Sequence, residues 1–345
     1  LFKSRRSPIK LSANESALGP SPKAVKSYNS IGKGFVRYPD SDGTFFRKVL
    51  AKKFKLKRDK IILGSGSDQI FELVCKLFLN KGDEVVVPEY SFIIYRIYSR
   101  MFGAKVKYAK EENFKPSLQS ILNCINSRTK IVFLANPNNP TGTYLDKFEI
   151  IKLRKKLRSD ILLVIDDAYY EYIKDPNYSS GIKLFSKSKN VLVTRTFSKI
   201  YGLAGLRIGY GVGDADVVTA IRKVQNAFDV TQPAQDAALA SLGNFSELER
   251  RRTGNYHARN QLIEGLEVLG LSPAGPAVAN FVYVDVGCDA SSIFELLLQQ
   301  GIIVRPMVPF GSETAIRITV GTKSENSLCL TALGDVLKKL SDSNV

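Results

Sequence analysis

The chain reads as an α/β protein with a large domain and a small one. The large domain has a mostly parallel central sheet flanked by helices; the smaller α+β domain is formed by the N-terminal arm and the C-terminal part. Three observations predict this. Short β-branched runs alternate with amphipathic stretches through the middle of the 345 residues, the rhythm of strand, helix, strand. Most of the strands are short apolar, β-branched runs, as a mostly parallel sheet covered on both faces requires. After about residue 230 long helical stretches and a few separated strands replace that rhythm. The resulting division is an arm over 1–34 that joins the small domain, a large domain over 35–240 and a small domain over 241–345.

The expected strands are 61–63, 84–87, 105–108, 130–135, 161–166, 191–195 and 207–212, with helices such as 67–79 and 146–158 between them. Beyond them come helical segments at 234–243 and 246–269. These are followed by a strand at 281–286, a helix at 291–301 and strands at 302–307 and 315–321. The arm is rich in Pro, Ser and Gly and has little periodicity. In open sheets of this kind ligands bind beyond the carboxyl ends of the strands, so residues just after each strand carry the functional reading.

The totals exclude several classes. A single histidine, His257, leaves no His-rich zinc site and little room for a Ser-His-Asp hydrolase. Cys75, Cys124, Cys288 and Cys329 are scattered without a CxxC pair and read as thiols of a reducing compartment, the cytoplasm. No apolar run approaches the ~20 residues that span a bilayer. The net charge of +17 raises the question of nucleic acid. Its clusters at 52–60, 152–158 and 249–252 are interleaved with apolar residues and lack any recognition motif, so neither nucleic acid nor membrane is expected as a partner.

Four features stand after strands. "GSGSDQ" (64–69) opens a helix, where backbone N–H groups and the helix dipole hold a phosphate; a Ser or Asp cap explains the same residues equally well. "NPNNPTG" (136–142) fixes an unusual backbone that presents an asparagine amide at the sheet edge. "VIDDAYYEY" (164–172) ends a buried strand on a carboxylate, which is costly unless a cation meets it. The aspartate pair suggests a metal, but no third carboxylate in a matching context supports one, and no metal is expected. "RTFSKIYGLAGLRIGYG" (195–211) surrounds Lys199 with Thr196, Ser198 and Arg207: an anion site plus an amine. A lysine beside other cations in a dry pocket loses its proton more easily and becomes a nucleophile toward carbonyls. Together these describe a site for pyridoxal 5'-phosphate.

"NPNNPTG", "DDAY" and "RTFSKIYGLAGLRIGY" resemble the aspartate-aminotransferase superfamily of fold type I. "LSANESALGPSPKAV", "RYPD" and "IIVRPM…IRITVG" narrow the resemblance to the histidinol-phosphate aminotransferase family, from about residue 9 to 325. The resemblance implies a catalytic Lys199 that bonds the cofactor aldehyde and then moves the proton. It implies Asp166 on the pyridine nitrogen, Asn139 and Tyr169 on the ring oxygen, and Tyr90 stacked on the ring. Ser67, Asp68, Thr196, Ser198 and Arg207 hold the phosphate, joined by Tyr38 from the partner subunit of a homodimer. Arg305, Arg317 and Asn14 bind the substrate, with Arg317 on its phosphate and Arg305 nearby. The expected reaction is transamination between histidinol phosphate and its keto form, with glutamate and 2-oxoglutarate as the other pair.

Three positions depart from the family pattern: Ser16-Ala17 after "NE", Glu89 in "PEY" and Asp167 in "DDAY". The last is expected to be tolerated because the first acid does the pairing. The first two weaken a strict preference for histidinol phosphate. An aromatic amino-acid (phenylalanine or tyrosine) aminotransferase, or an enzyme of both specificities, on the same scaffold is the alternative, and a phosphothreonine decarboxylase shares it too. From a different class, a cofactor-bearing binding protein would exploit the positive charge without needing the full Lys199, Asp166, Asn139 and Tyr169 set.

Overall fold

The structure is a computed structural model that describes residues 8–342. Seven strands form the large sheet: β1 (Ile61–Gly64), β2 (Glu84–Pro88), β3 (Lys105–Ala109), β4 (Thr129–Ala135), β5 (Leu162–Asp166), β6 (Val191–Thr196) and β7 (Gly209–Gly213). Their spatial order is β1-β7-β6-β5-β4-β2-β3. Only β7 runs against its neighbours; the other pairings are parallel.

Side chains alternate into two separate cores. Ile61, Leu63, Val132, Leu134, Leu163 and Ile165 pack on one face, and Ile62, Val85, Val87, Phe133, Leu162 and Val164 on the other. Each fully buried side chain of this size contributes about 1.5–3 kcal/mol, whereas an exposed ion pair contributes ~0–1 kcal/mol. The sheet, not the charged surface, therefore fixes where the strand ends lie. The basic stretch at 52–60 follows the same logic: Lys52, Lys53, Lys55 and Lys57 are exposed while Phe54 and Leu56 pack against the core.

The small domain is built on β8 (Phe281–Asp285), β9 (Arg305–Pro306) and β10 (Ala315–Thr319), in the order β8-β10-β9. Helices Phe245–Val268, Ala290–Gln299 and Lys323–Asp342 supply Leu262, Leu266, Ile293, Leu297 and Leu333 to its core. The arm contributes the two-residue strand Ile9–Lys10, which pairs in parallel with Ile302–Ile303, and Leu11 enters the same core. Its helix Pro22–Asn29 packs along the helix Gln232–Leu242.

The expected strand over 302–307 is instead two short pieces. Ile302–Ile303 pairs with the arm and Arg305–Pro306 with β10, and Val304 between them is buried in the core. A proline can donate no ladder hydrogen bond, which confines the second piece to the sheet edge. The structure also adds an element beyond the last expected strand: Lys323–Asp342 forms one long helix. Among the described residues no helix is long and apolar enough to cross a membrane, and the four cysteines are free thiols.

Asp167 is held by a buried network. Its oxygens accept from Tyr178 Oη at 3.1 Å and Gly181 N at 2.8 Å, with Arg195 Nε 3.5 Å away. Arg195 also donates to Glu171 at 2.8 Å and to Ser180 at 2.6 Å, and lies 3.8 Å over the Tyr170 ring. This ties β5 and β6 to the segment that follows β5. Replacing Arg195 with Met strands two buried carboxylates, so Arg195→Met is expected to cost about 3–5 kcal/mol. Urea unfolding measures it; a loss below about 1 kcal/mol would place the pair among surface pairs.

Candidate active site

The site is a cavity of ≈ 380 Å³ at the carboxyl ends of the parallel strands, roofed by the arm and the small domain. Ser67, Asp68, Asn139, Asp166, Tyr169, Thr196, Ser198, Lys199, Arg207, Arg305, Arg317 and Asn14 all line it. Residues far apart in sequence meet there because most of them follow or end a strand of the large sheet, while Arg305 and Arg317 come from strands of the small domain. Arg207 arrives by the reversal of β7, whose first residue, Gly209, lies opposite both Gly64 and Thr196.

Each motif divides its residues between holding itself and facing the cavity. In "NPNNPTG", Asn136 bonds the backbone of Leu145 through both side-chain atoms. Asn138 Nδ2 donates to Tyr90 O, Glu111 and Thr141. Asn139 is the one left to face the ligand space: its Oδ1 accepts from Arg317 Nη1 at 2.5 Å, which aims its Nδ2 donor away from that arginine. Tyr169 Oη accepts from Asn14 Nδ2 at 2.9 Å, so its own proton is free to donate. Asn14 is fixed in turn by Thr319, with bonds of 2.9 Å and 3.1 Å.

The aspartate pair divides in the same way. Asp167 serves the network above, and Asp166 ends β5 inside the cavity wall. Tyr95 Oη donates to its Oδ2 at 2.7 Å and Thr194 Oγ1 to its Oδ1 at 3.1 Å. No cation pairs with it among the described residues, and burial pushes its pKa up to about 6. A buried carboxylate in that condition is poised to receive a cationic N–H.

At the other end, the helix Ser67–Phe78 starts on Gly66 (φ 79°) and has no side-chain cap. Its first N–H groups are thus not consumed by a Ser or Asp cap, which removes the alternative explanation of "GSGSDQ". The approach is tight: a Cβ on Gly66 would stand 2.4 Å from Arg207 Nη2, and one on Gly209 2.6 Å from Ser67 N. Arg207 donates to Ser198 Oγ at 3.3 Å and to Asp68 at 3.1 Å. The Asp68 carboxylate therefore faces Arg207, and its backbone N–H is what it offers an anion. Ser198 N donates to Thr196 Oγ1 at 3.1 Å.

Lys199 is half-buried, with Nζ 3.2 Å from Ala13 O and 5.7 Å from the Tyr169 ring centroid. Burial, reinforced by Arg317, lowers its pKa to about 8 against the pull of Asp68, Asp166 and Glu15. Arg317 is 5% exposed and has no carboxylate partner among the described residues; Nη2 donates to Ser12 O at 2.8 Å and Nε is unpartnered there. Burial lowers it to about 10, Tyr169 opposing and Arg305 adding to the shift. Arg305 is exposed and directly opposite Arg317 in the β9–β10 register.

Two expected residues do not line this cavity. The Tyr90 ring lies against Phe114 and Tyr283 at centroid distances of 6.2 Å and 6.4 Å, while Phe92 and Ile93 reach the cavity wall. Tyr38 is 81% exposed and stacked on Phe228 at 4.4 Å. Ser16, the departure in the arm, lines a neighbouring cavity of ≈ 500 Å³ on the other side of the arm. Glu89 accepts from Glu111 N at 3.4 Å. Sequence reasoning missed Tyr95, Thr194 and the Ser12 and Ala13 carbonyls. Thr194 was findable as the residue two before Thr196 on the same strand face; the carbonyls carry no side-chain signal.

Fold and cavity together define an aminotransferase of fold type I. Residues 6–333 match the family Aminotransferase class I and II. A histidinol-phosphate aminotransferase of Pelagibacter ubique (strain HTCC1062) is 43% identical over 332 residues, 95% of this chain and 92% of that one. Another, from Paramagnetospirillum magneticum, is 41% identical over 94% of this chain and 90% of its own. The crystal structure of histidinol-phosphate aminotransferase from Sinorhizobium meliloti, in complex with pyridoxal-5'-phosphate, superposes with a TM-score of 0.91 at 27% identity, covering 97% of this chain and 92% of that one. The chain belongs to the histidinol-phosphate aminotransferase family within the class I and II aminotransferases.

The lowered Lys199 pKa has a direct consequence for the cofactor-free protein. The charged amine dominates below about 8 and the neutral nucleophile above it. Peptide-resolved reductive methylation is therefore expected to climb at Lys199 up to a pH of about 8 and then level. Surface lysines continue to climb to a pH of about 10.4. Lys199 tracking those surface lysines would contradict the assignment.

Proposed function

We propose that the chain binds pyridoxal 5'-phosphate and transaminates between histidinol phosphate and its keto form, with glutamate and 2-oxoglutarate as the other pair. The donor set fits the cofactor. A buried, cation-free Asp166 suits a protonated ring nitrogen, and two free donors, Asn139 Nδ2 and Tyr169 Oη, suit a ring oxygen. An uncapped helix start with Arg207, Thr196 and Ser198 suits a phosphate. When bound, the cofactor supplies an aldehyde for an amine and a ring that accepts electrons released at the substrate's α-carbon.

The protein's own work is then acid–base and positional. Lys199, with its lowered pKa, takes the proton from the substrate's α-carbon and is the acid that returns it. Asp166 keeps its ionic partner protonated, and Tyr95 and Thr194 hold the Asp166 carboxylate in one orientation. Asn14 holds Tyr169, so the arm is part of the site. Tyr38 reaches the phosphate of a second subunit in a homodimer. The exposure of Phe35 (75%), Val36 (78%) and Tyr38 (81%) on one short segment supports a covering copy of the chain. Four free thiols fit the cytoplasm as its compartment.

The substrate reading rests on one observation: Arg317 and Arg305 are direct cross-strand partners on β10 and β9, both line the cavity, and neither pairs with a carboxylate among the described residues. A phosphate monoester carries about −1.5 to −2 charges near neutrality and satisfies both, whereas a single carboxylate leaves one in excess. The kcat/KM for histidinol phosphate is expected to exceed that for phenylalanine and tyrosine. Arg305→Gln removes a charged hydrogen bond of about 1.5–3 kcal/mol, roughly a 10- to 100-fold loss for histidinol phosphate and a smaller one for phenylalanine. A higher kcat/KM for phenylalanine or tyrosine in the parent enzyme would make the protein an aromatic aminotransferase instead.

A further inference from the structure

Among the described residues five arginines are buried. Three of them meet a carboxylate: Arg47 with Asp42 at 3.0 Å, Arg195 with Glu171 at 2.8 Å and Arg251 with Glu247 at 2.7 Å. Two do not, Arg317 and Arg259. Arg317 lies in the active site, where an anionic substrate group is its counterpart. Arg259 lies outside that site, on the long helix Phe245–Val268, and has the same signature.

Arg259 is 6% exposed. Its Nη1 donates to Val278 O and Ala279 O, both at 3.0 Å, and its Nε is buried without a partner. Burial pushes its pKa down to about 10, and only Tyr256, 5.6 Å from the guanidinium, opposes that. Arg195 shows the contrast: burial alone would lower it, but Glu171, Tyr210 and Asp167 hold it above its usual range. A buried charge with backbone carbonyls but no opposite charge is several kcal/mol short of compensation.

Arg259 lines a cavity of ≈ 320 Å³ between this helix and the segment 172–177. The walls are Tyr172, Ile173, Pro176, Tyr256 and Val278. The charges there are Lys174, Arg252 and Arg259 against Asp175. Lys174 and Arg252 already share Glu249, and Asp175 accepts from Tyr144 Oη and from Asn177 N. The cavity is thus large enough for a small molecule, with apolar and aromatic side chains in its wall and one uncompensated cation.

We propose that this cavity is a second, non-catalytic binding site for a small organic anion, a carboxylate or phosphate monoester on a flat apolar body, with Arg259 as its anchor. With Nη1 held by the two carbonyls, Nη2 of the guanidinium is the donor left to meet the anion, and Tyr256 and Tyr172 flank the apolar part. The carbonyls of Val278 and Ala279 hold the fork in place before the ligand arrives.

Two probes test this on the cofactor-loaded enzyme. Crystals soaked in 4-bromobenzoate are expected to show a bromine anomalous peak inside the cavity, with the carboxylate on Arg259. In solution, titration with 4-bromobenzoate and with phenyl phosphate is made in an Arg305→Gln/Arg317→Gln background, which removes both substrate arginines from the catalytic cavity. There Arg259→Gln is expected to weaken binding about 10- to 100-fold, and the better probe identifies the anion type. Bromine found only against Arg305 and Arg317 overturns the proposal, as does a crystal site with no measurable binding in solution. Unchanged affinity in a folded Arg259→Gln protein overturns it too. If that variant does not fold, the anomalous map and titration of the protein with Arg259 intact still decide.

Discussion

Asp166 carries a carboxylate at the end of a strand that is otherwise wholly apolar, at a depth where an unpaired charge is expensive. Burial raises its pKa, its two hydrogen bonds, from Tyr95 and Thr194, only partly offset that, and it stands at about 6. Everything about the site's geometry follows from keeping that group buried, oriented and without a cation of its own. Two apolar cores on either face of the sheet are needed to hold β5 between β4 and β6. The neighbouring Asp167 shows the alternative: the same residue type, one position on, is committed to Arg195, Tyr178 and Gly181. One acid is spent on the fold so that the other can be left for chemistry.

The same division recurs at each strand end. A motif of several polar residues is mostly used to satisfy its own backbone, and one member is released toward the cavity. The single reversed strand makes the anion end possible, because β7 must start where the parallel strands finish. Gly209 there permits contact with the helix start that any side chain would block. The arm and small domain complete the enclosure through Asn14, Arg305 and Arg317.

The large sheet was legible because its strands are continuous apolar runs between helices: expected and observed limits of 84–87 and Glu84–Pro88 differ by one residue. The strand at 302–307 was misjudged because an unbroken apolar reading cannot show that two halves pair with different sheets. That Lys199, Asp166, Asn139, Tyr169 and Arg207 gather in one cavity was legible because the proposed chemistry demands particular side chains after particular strands. Tyr95 was not, since a buried helical tyrosine looks like core; nor were the carbonyls of Ser12 and Ala13, which any residue provides. Asp167 read as a neutral substitution, yet its burial gives it a partner set of its own. Arg259 lay within a long, highly charged helix, and only the absence of a facing acid among the described residues singles it out.

Titration of Asp166 itself tests the central claim most directly. In protein carrying ¹³C-labelled aspartate, with Asp166→Asn used to assign the signal, the cofactor-free form is expected to show Asp166 titrating at about 6. Loading with pyridoxal 5'-phosphate is expected to move that midpoint down, because a cationic N–H then stabilises the charged form. An Asp166 that titrates in the ordinary range near about 3.9 in the cofactor-free protein, or whose midpoint does not move on loading, would contradict the account.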